Sequence, residues 1–165
     1  MRKLFTIVLL FSFTSCVEAP KEVENVSIKY PYVAGYSSDW KMGDPNHSLI
    51  VLNLQKFAEE GNYDEARKLF HPEITIYSGD GSSIKGLNAL DLGFRDFIEN
   101  SNLTIQPQVW IPVVNKNGEN WVLLWTYEEH KEANGSVRKL YAQESFQIKD
   151  NKIVTVNQFQ KDLVE

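Results

Sequence analysis

Residues 120–160 read NWVLLWTYEEHKEANGSVRKLYAQESFQIKDNKIVTVNQFQ, and this stretch decides the fold. Along 140–148, Leu140, Ala142, Phe146 and Ile148 share one face, with Glu144 among them; Tyr141, Gln143, Ser145 and Gln147 form the other. Alternation with period two is the pattern of a half-buried strand. Asn134-Gly135 and Asp150-Asn151 interrupt it, and Asn117-Gly118 does the same just upstream. These are tight-turn pairs, because their residues tolerate the positive φ that hairpins need. Four strands are therefore predicted, over 103–115, 120–132, 136–149 and 152–160, joined as an antiparallel meander.

Upstream the period lengthens. Asp44 is a good N-cap, Pro45 suits a first helical position, and Leu49, Leu52 and Phe57 recur at helical spacing until Gly61. Asn62 can cap a second helix carrying Tyr63, Ala66, Leu69 and Phe70, which His71-Pro72 should end because a residue before proline avoids helical geometry. A strand over 73–77, the Gly79-Asp80-Gly81 turn and a short extended piece over 83–85 lead to Gly86. A third helix, about 87–99, carries Leu90, Phe94, Phe97 and Ile98. Asp91 and Arg95 stand four residues apart on it and are expected to pair on its surface. Helices first and a meander last define an α+β domain over 44–162.

The N-terminus supplies an address. Arg2 and Lys3 precede an apolar run, 4–13, too short to cross a bilayer, which takes roughly 20 residues. It has the length of the apolar part of a signal peptide. Small Thr14 and Ser15 are followed at once by Cys16, the only cysteine. That order resembles the lipobox of bacterial lipoproteins. The resemblance implies a removable signal over 1–15, a lipidated Cys16, export, and anchorage in the cell envelope of a bacterium. A lone cysteine also excludes an intramolecular disulfide. Residues 16–43 are expected to be a tether followed by an irregular arm bearing Tyr32, Tyr36 and Trp40.

The formal charge is −5, of which residues 1–15 contribute +2, leaving −7 for the rest. That acidity, with no basic cluster after Lys3, argues against nucleic acid as a partner. His47, His71 and His130 are scattered and match no ligand spacing, so neither a metal nor a cofactor is expected. No phosphate loop, dinucleotide fingerprint or nucleophile elbow occurs.

The element order and its punctuation resemble the nuclear transport factor 2-like superfamily, in its SnoaL-like branch. The residues concerned are Asn62–Phe70, His71-Pro72-Glu73, Gly86 with Ala89-Leu90, and Asp150-Asn151-Lys152-Ile153, over about 40–162. The resemblance implies a strongly bent antiparallel sheet wrapped on three helices as a cone, with a pocket at its wide end. Members include isomerases, cyclases, epoxide hydrolases and non-catalytic proteins, so the fold does not settle function. No acidic pair flanks an arginine here as in the epoxide hydrolases.

Acid–base chemistry in such a pocket needs an inward carboxyl, and alternation selects Glu144. An aromatic pocket of Trp110, Trp125, Tyr127 and Phe159 around Glu144 is expected to bind a small apolar or amphipathic molecule. If the domain is a cofactor-free lyase, isomerase or hydrolase, Glu144 is the acid–base group, with Tyr127 or Tyr141 assisting. A third reading is a protein-interaction subunit with a filled pocket. Residues 121–127 are apolar on both faces: Trp121, Leu123, Trp125 and Tyr127 on one, Val122, Leu124 and Thr126 on the other, the latter continuing to Glu128 and His130. Both faces should be covered, one by helices and pocket, the other by a second copy in a homodimer.

Overall fold

The computed structural model describes residues 29–100, 102–132 and 134–164. The expected signal, Cys16 and most of the tether lie outside the described residues. Ala34–Glu165 forms one compact unit. Its elements in chain order are β1 (Trp40–Met42), α1 (Pro45–Glu59), α2 (Tyr63–Lys68), β2 (Phe70–Tyr77), β3 (Ser83–Lys85), α3 (Leu87–Asn100), β4 (Asn102–Asn115), β5 (Asn120–Lys131), β6 (Val137–Lys149) and β7 (Lys152–Asp162). The strands form one bent sheet in the order β1-β4-β5-β6-β7-β2-β3, and the α+β class is as expected. Among the described residues no helix is long and apolar enough to cross a membrane.

The helices begin where their caps place them. Asp44 accepts from the backbone N–H of Asn46 at 2.8 Å, with Pro45 in the first turn of α1. Asn62 accepts from the N–H of Glu65 at 3.3 Å. In α2, Asp64 and Glu65 occupy the first turn and Arg67 and Lys68 the last, complementing the helix dipole. Asp150 and Asn151 both take positive φ, 51° and 56°, as a type I′ hairpin turn demands.

Three features differ from expectation. β1 is a strand, not irregular arm: it pairs antiparallel with β4, Trp40 opposite Asn115, at the sheet's edge. β2 begins at Phe70 and runs parallel to β7, so the sheet is not wholly antiparallel. Its register shifts between Phe70 and Thr75, the interval that holds Pro72, which has no N–H to offer a ladder. Asp91 does not pair with Arg95. It takes the Arg67 guanidinium at 2.6 and 2.9 Å and the Tyr63 hydroxyl at 2.5 Å, tying α2 to α3. Arg95 instead lies over the Tyr63 ring and pairs with Asp64 and Glu99.

The core lies between the helices and the inner face of the sheet. Val51 and Leu54 of α1, Ile74 of β2, Leu90 and Ile98 of α3, and Val122, Leu124, Phe146 and Ile153 of the sheet are all buried in it.

Candidate functional site

The core is not filled to its end. A cavity of about 390 Å3 opens between α1, α3 and the inner face of the sheet. That volume lies in the range of small-molecule sites. Four phenyl rings reach its wall, from Phe70, Phe94, Phe97 and Phe146. Its polar side is built from alternate residues of neighbouring strands, with Glu128 and His130 from β5, Glu144 from β6 and Gln158 from β7. Gln55 joins them from α1.

Glu144 stands on the inner face, 8% exposed, as the alternation of β6 predicts. Its direct cross-strand neighbours are Leu124 and Gln158. Two side-chain amides reach its two oxygens: Gln55 Nε2 lies 3.1 Å from Oε2 and Gln158 Nε2 lies 3.2 Å from Oε1. Among the described residues no cation forms an ion pair with it. Burial and then the negative charge of Glu128 push its pKa up to about 8, against the smaller opposing effect of the two amides. At neutral pH this carboxyl is therefore mostly protonated.

Beside it runs a hydrogen-bonded row on one strand. Thr126 Oγ1 donates to Glu128 Oε1 at 2.7 Å, and Glu128 Oε2 lies 2.8 Å from His130 Nε2. Thr126, Glu128 and His130 are two residues apart in turn, so one face of β5 presents all three. The alternation that selects Glu144 applies equally here. Glu128 and His130 escape a search for acids set among apolar neighbours, because they continue the inner face beyond the point where its apolar residues stop.

The other expected site residues stand elsewhere. Trp125, Tyr127, Tyr141 and Phe159 are on the outer face of the sheet. Trp125 pairs across to Gln143 and Gln143 to Phe159, while Tyr127 pairs with Tyr141. Gln143 adjoins Glu144, and adjacent strand residues point to opposite sides. None of these four rings lines the cavity of Glu144. Tyr127 and Tyr141 meet edge to face at 5.7 Å, and the Tyr127 hydroxyl donates to Glu129 at 2.6 Å. Trp110 is in register with Leu124, hence on the inner face, but is 49% exposed and outside the cavity wall. A register shift between Pro107 and Val109 carries the face from odd to even residues there. The expected aromatic wall thus exists, but phenylalanines of helices and sheet build it.

The outer face has its own depression, about 490 Å3, lined by Tyr36, Trp40, Trp121, Leu123 and Asn157 among others. Tyr36 reaches it from the arm, held by its hydroxyl on Glu119, and meets Trp40 and Trp121 at ring-centroid distances of 6.1 and 6.3 Å. It is the larger space but holds no acid–base group other than the Tyr36 phenol, whose pKa burial and Glu119 raise further. The arm thus covers one end of the outer face. Farther along, Trp125, Tyr141 and Phe159 remain exposed at 42%, 51% and 62%. Among the described residues no three His, Cys, Asp or Glu side chains come together as a metal-ligand set.

No described protein family matches the sequence, and no curated protein does either. Solved structures do match in shape. An epoxide hydrolase/cyclase-like enzyme of pyran ring formation in the polyether salinomycin superposes with a TM-score of 0.62 at 19% identity, over 70% of this chain and 91% of that one. A protein from Jannaschia sp. CCS1 described as a SnoaL-like polyketide cyclase gives 0.58 at 13%, over 73% and 91%. A Mycobacterium tuberculosis protein in complex with estradiol-17beta-hemisuccinate gives 0.60 at 12%, over 70% and 97%. At such identities the likeness establishes a shared fold, that of the SnoaL-like and epoxide hydrolase-like proteins.

Proposed function

We propose that the domain captures a small, largely apolar molecule in the cavity between its helices and sheet. The observation that carries this reading is an open, phenyl-lined space of about 390 Å3 with a buried carboxyl at its wall. A protein that needed only a core would fill such a space with side chains, since voids forfeit packing energy. The fold is shared with a protein solved around a steroid ester, which supports the reading without naming a ligand.

A second reading, cofactor-free acid–base catalysis, is favoured by one specific arrangement. Glu144, mostly protonated at neutral pH, faces the same space as the Glu128–His130 pair. A proton donor and a proton acceptor on one cavity wall are the minimum for moving a proton on a bound substrate. Glu144 would be the acid, Glu128 with His130 the base. Tyr127 and Tyr141, on the opposite face, are not part of this proposal.

We further propose that the chain is tethered to a bacterial envelope through Cys16 and that a second copy covers the exposed outer-face rings. The apolar run ahead of Cys16 supports the first, the exposure of Trp125, Tyr141 and Phe159 the second.

Filling the cavity tests the capture reading. A Cβ on Gly93 of α3 meets no atom nearer than Ile84 Cδ1, at 4.0 Å, so a larger side chain is tolerated by the backbone and enters the space. Gly93→Phe should keep the fold and abolish binding of a small aromatic probe such as 4-phenylbutan-1-ol, followed by NMR shifts of the cavity phenylalanines. Undiminished binding in that variant would place the site elsewhere.

A further inference from the structure

Once ionised, Glu144 has no counter-charge on the cavity wall, and this bears on what the ligand carries. Every ionisable group on its wall can be placed by element. α1 contributes the neutral Gln55 beside apolar Leu54 and Ala58, and β2 and α3 contribute apolar residues such as Phe70, Ile76 and Phe94. β5 contributes Glu128 and His130, and β6 contributes Arg138 and Glu144. β7 contributes the neutral Gln158 and Gln160. The one permanent cation, Arg138, is engaged by Asp162, at 2.7 and 2.9 Å. His130 is engaged by Glu128 at 2.8 Å. Glu144 is buried, and its side-chain hydrogen bonds come from two neutral amides, those of Gln55 and Gln158.

We infer that the cavity takes an amine: a ligand with an apolar body and a basic nitrogen, bound as its ammonium against Glu144. This rests on the capture reading above and sharpens it. The missing counter-charge is the first argument, since a buried carboxylate is stabilised strongly by a cation brought within contact distance. The walls supply the second. Phenyl faces attract cations, and Phe94, Phe97 and Phe146 line the same space. The third is acceptor capacity. An ammonium has three N–H groups to satisfy, and the Gln55 and Gln158 amides, by turning over, each offer an oxygen next to Glu144. An anionic ligand meets the opposite situation, with the carboxyls of Glu128 and Glu144 facing it and the Arg138 guanidinium engaged by Asp162. A neutral ligand can accept the Glu144 proton as a hydrogen bond but brings no counter-charge to the ionised carboxylate. The net charge of −7 beyond residue 15 steers the same class of ligand inward.

Ammonium binding must expel the proton that Glu144 holds at neutral pH, so binding and proton release are linked. Three probes with one apolar body separate the cases: 4-phenylbutylamine, 4-phenylbutan-1-ol and 4-phenylbutanoate, titrated into the full chain at pH 7. Calorimetry in phosphate and in Tris measures the protons released. The amine should bind at least ten-fold more tightly than the alcohol, with the carboxylate weakest, and should release about one proton per molecule bound. Glu144→Gln should bring amine and alcohol within two-fold of each other and abolish the release. Retained alcohol binding in that variant reports that its cavity is intact. If the alcohol equals or exceeds the amine in the unaltered protein, or no proton is released, the amine assignment is overturned while the capture reading stands. If none of the three perturbs the cavity phenylalanines, both are overturned.

Discussion

The side-chain amide of Gln55, on α1, meets Oε2 of Glu144, on β6, at 3.1 Å across 89 residues of chain. This contact pins the first long helix to the middle of the sheet at a buried acid whose hydrogen-bond donors are neutral amides. Burial of Glu144 at this point, against the opposing effect of the Gln55 amide, makes the stability of the domain depend on its protonation.

That dependence has a definite sign. Glu144 has a folded pKa near 8, above its unfolded value near 4.5, so the native state binds the extra proton between those limits. Its contribution is fully present below about pH 4.5 and is lost as pH rises through 8. Glu144→Gln keeps the shape and removes the titration. At pH 8.5 the variant should be more stable than the parent by a few kcal/mol, and the advantage should vanish near pH 4.5. Urea unfolding across that range decides it; parallel curves for the two proteins would contradict the buried, unpaired assignment.

Glu128 raises the Glu144 pKa through its charge. Glu128→Gln should therefore move the Glu144 midpoint downward, read by carbon NMR of the labelled carboxyl. An unchanged or higher midpoint would show that the two carboxyls do not sense each other.

Asp91 behaves oppositely. Its hydrogen bonds from Arg67, and then Tyr63, hold its pKa down at about 2. The stability it lends is present above the ordinary aspartate range and is lost as pH falls from about 4 through 2. Arg67→Ala should lower Tm at pH 7, and its difference from the parent should shrink toward zero by pH 2. A constant difference would mean that Arg67 acts by packing alone.

On the outer face, Trp125 and Phe159 are 42% and 62% exposed, both opposite Gln143. If a second copy covers them, Cys16→Ala protein should sediment as a dimer, and adding Trp125→Gln with Phe159→Gln should give a folded monomer. A monomer before those two substitutions are made would remove the dimer reading.

The envelope address is tested by fractionation. The chain expressed with its own N-terminus in a bacterial host should partition with membranes, and Cys16→Ala should not. Equal membrane association of the two would end the lipid-anchor reading.

How far the sequence alone reached can be judged residue by residue. The hairpin turns at Asn117-Gly118, Asn134-Gly135 and Asp150-Asn151, the caps at Asp44 and Asn62, and the inward face of Glu144 were all legible. Each depends on backbone geometry within a few residues, and such geometry leaves a local pattern. The strand at Trp40–Met42 was not, because three residues carry no period and only the waiting edge of β4 makes them a strand. The parallel pairing of β2 with β7 joins segments eighty residues apart, as in Thr75 opposite Thr155, and likewise leaves no local trace.

The site divides along the same line. Alternation fixed which residues of β6 share a face with Glu144, so the sequence by itself determined a meander with that acid on the apolar face of its strand. It could not say which side of β5 the helices cover, since Trp121–Tyr127 is apolar on both faces, and hydrophobicity does not distinguish a cavity wall from an exposed outer surface. Only the docking of α1 and α3 decided that. By choosing the Leu124 face, it left Trp125 and Phe159 outside, brought Phe94 and Phe97 in, and set Gln55 against Glu144, because helix-on-sheet packing is a relation between distant segments and no single segment encodes it.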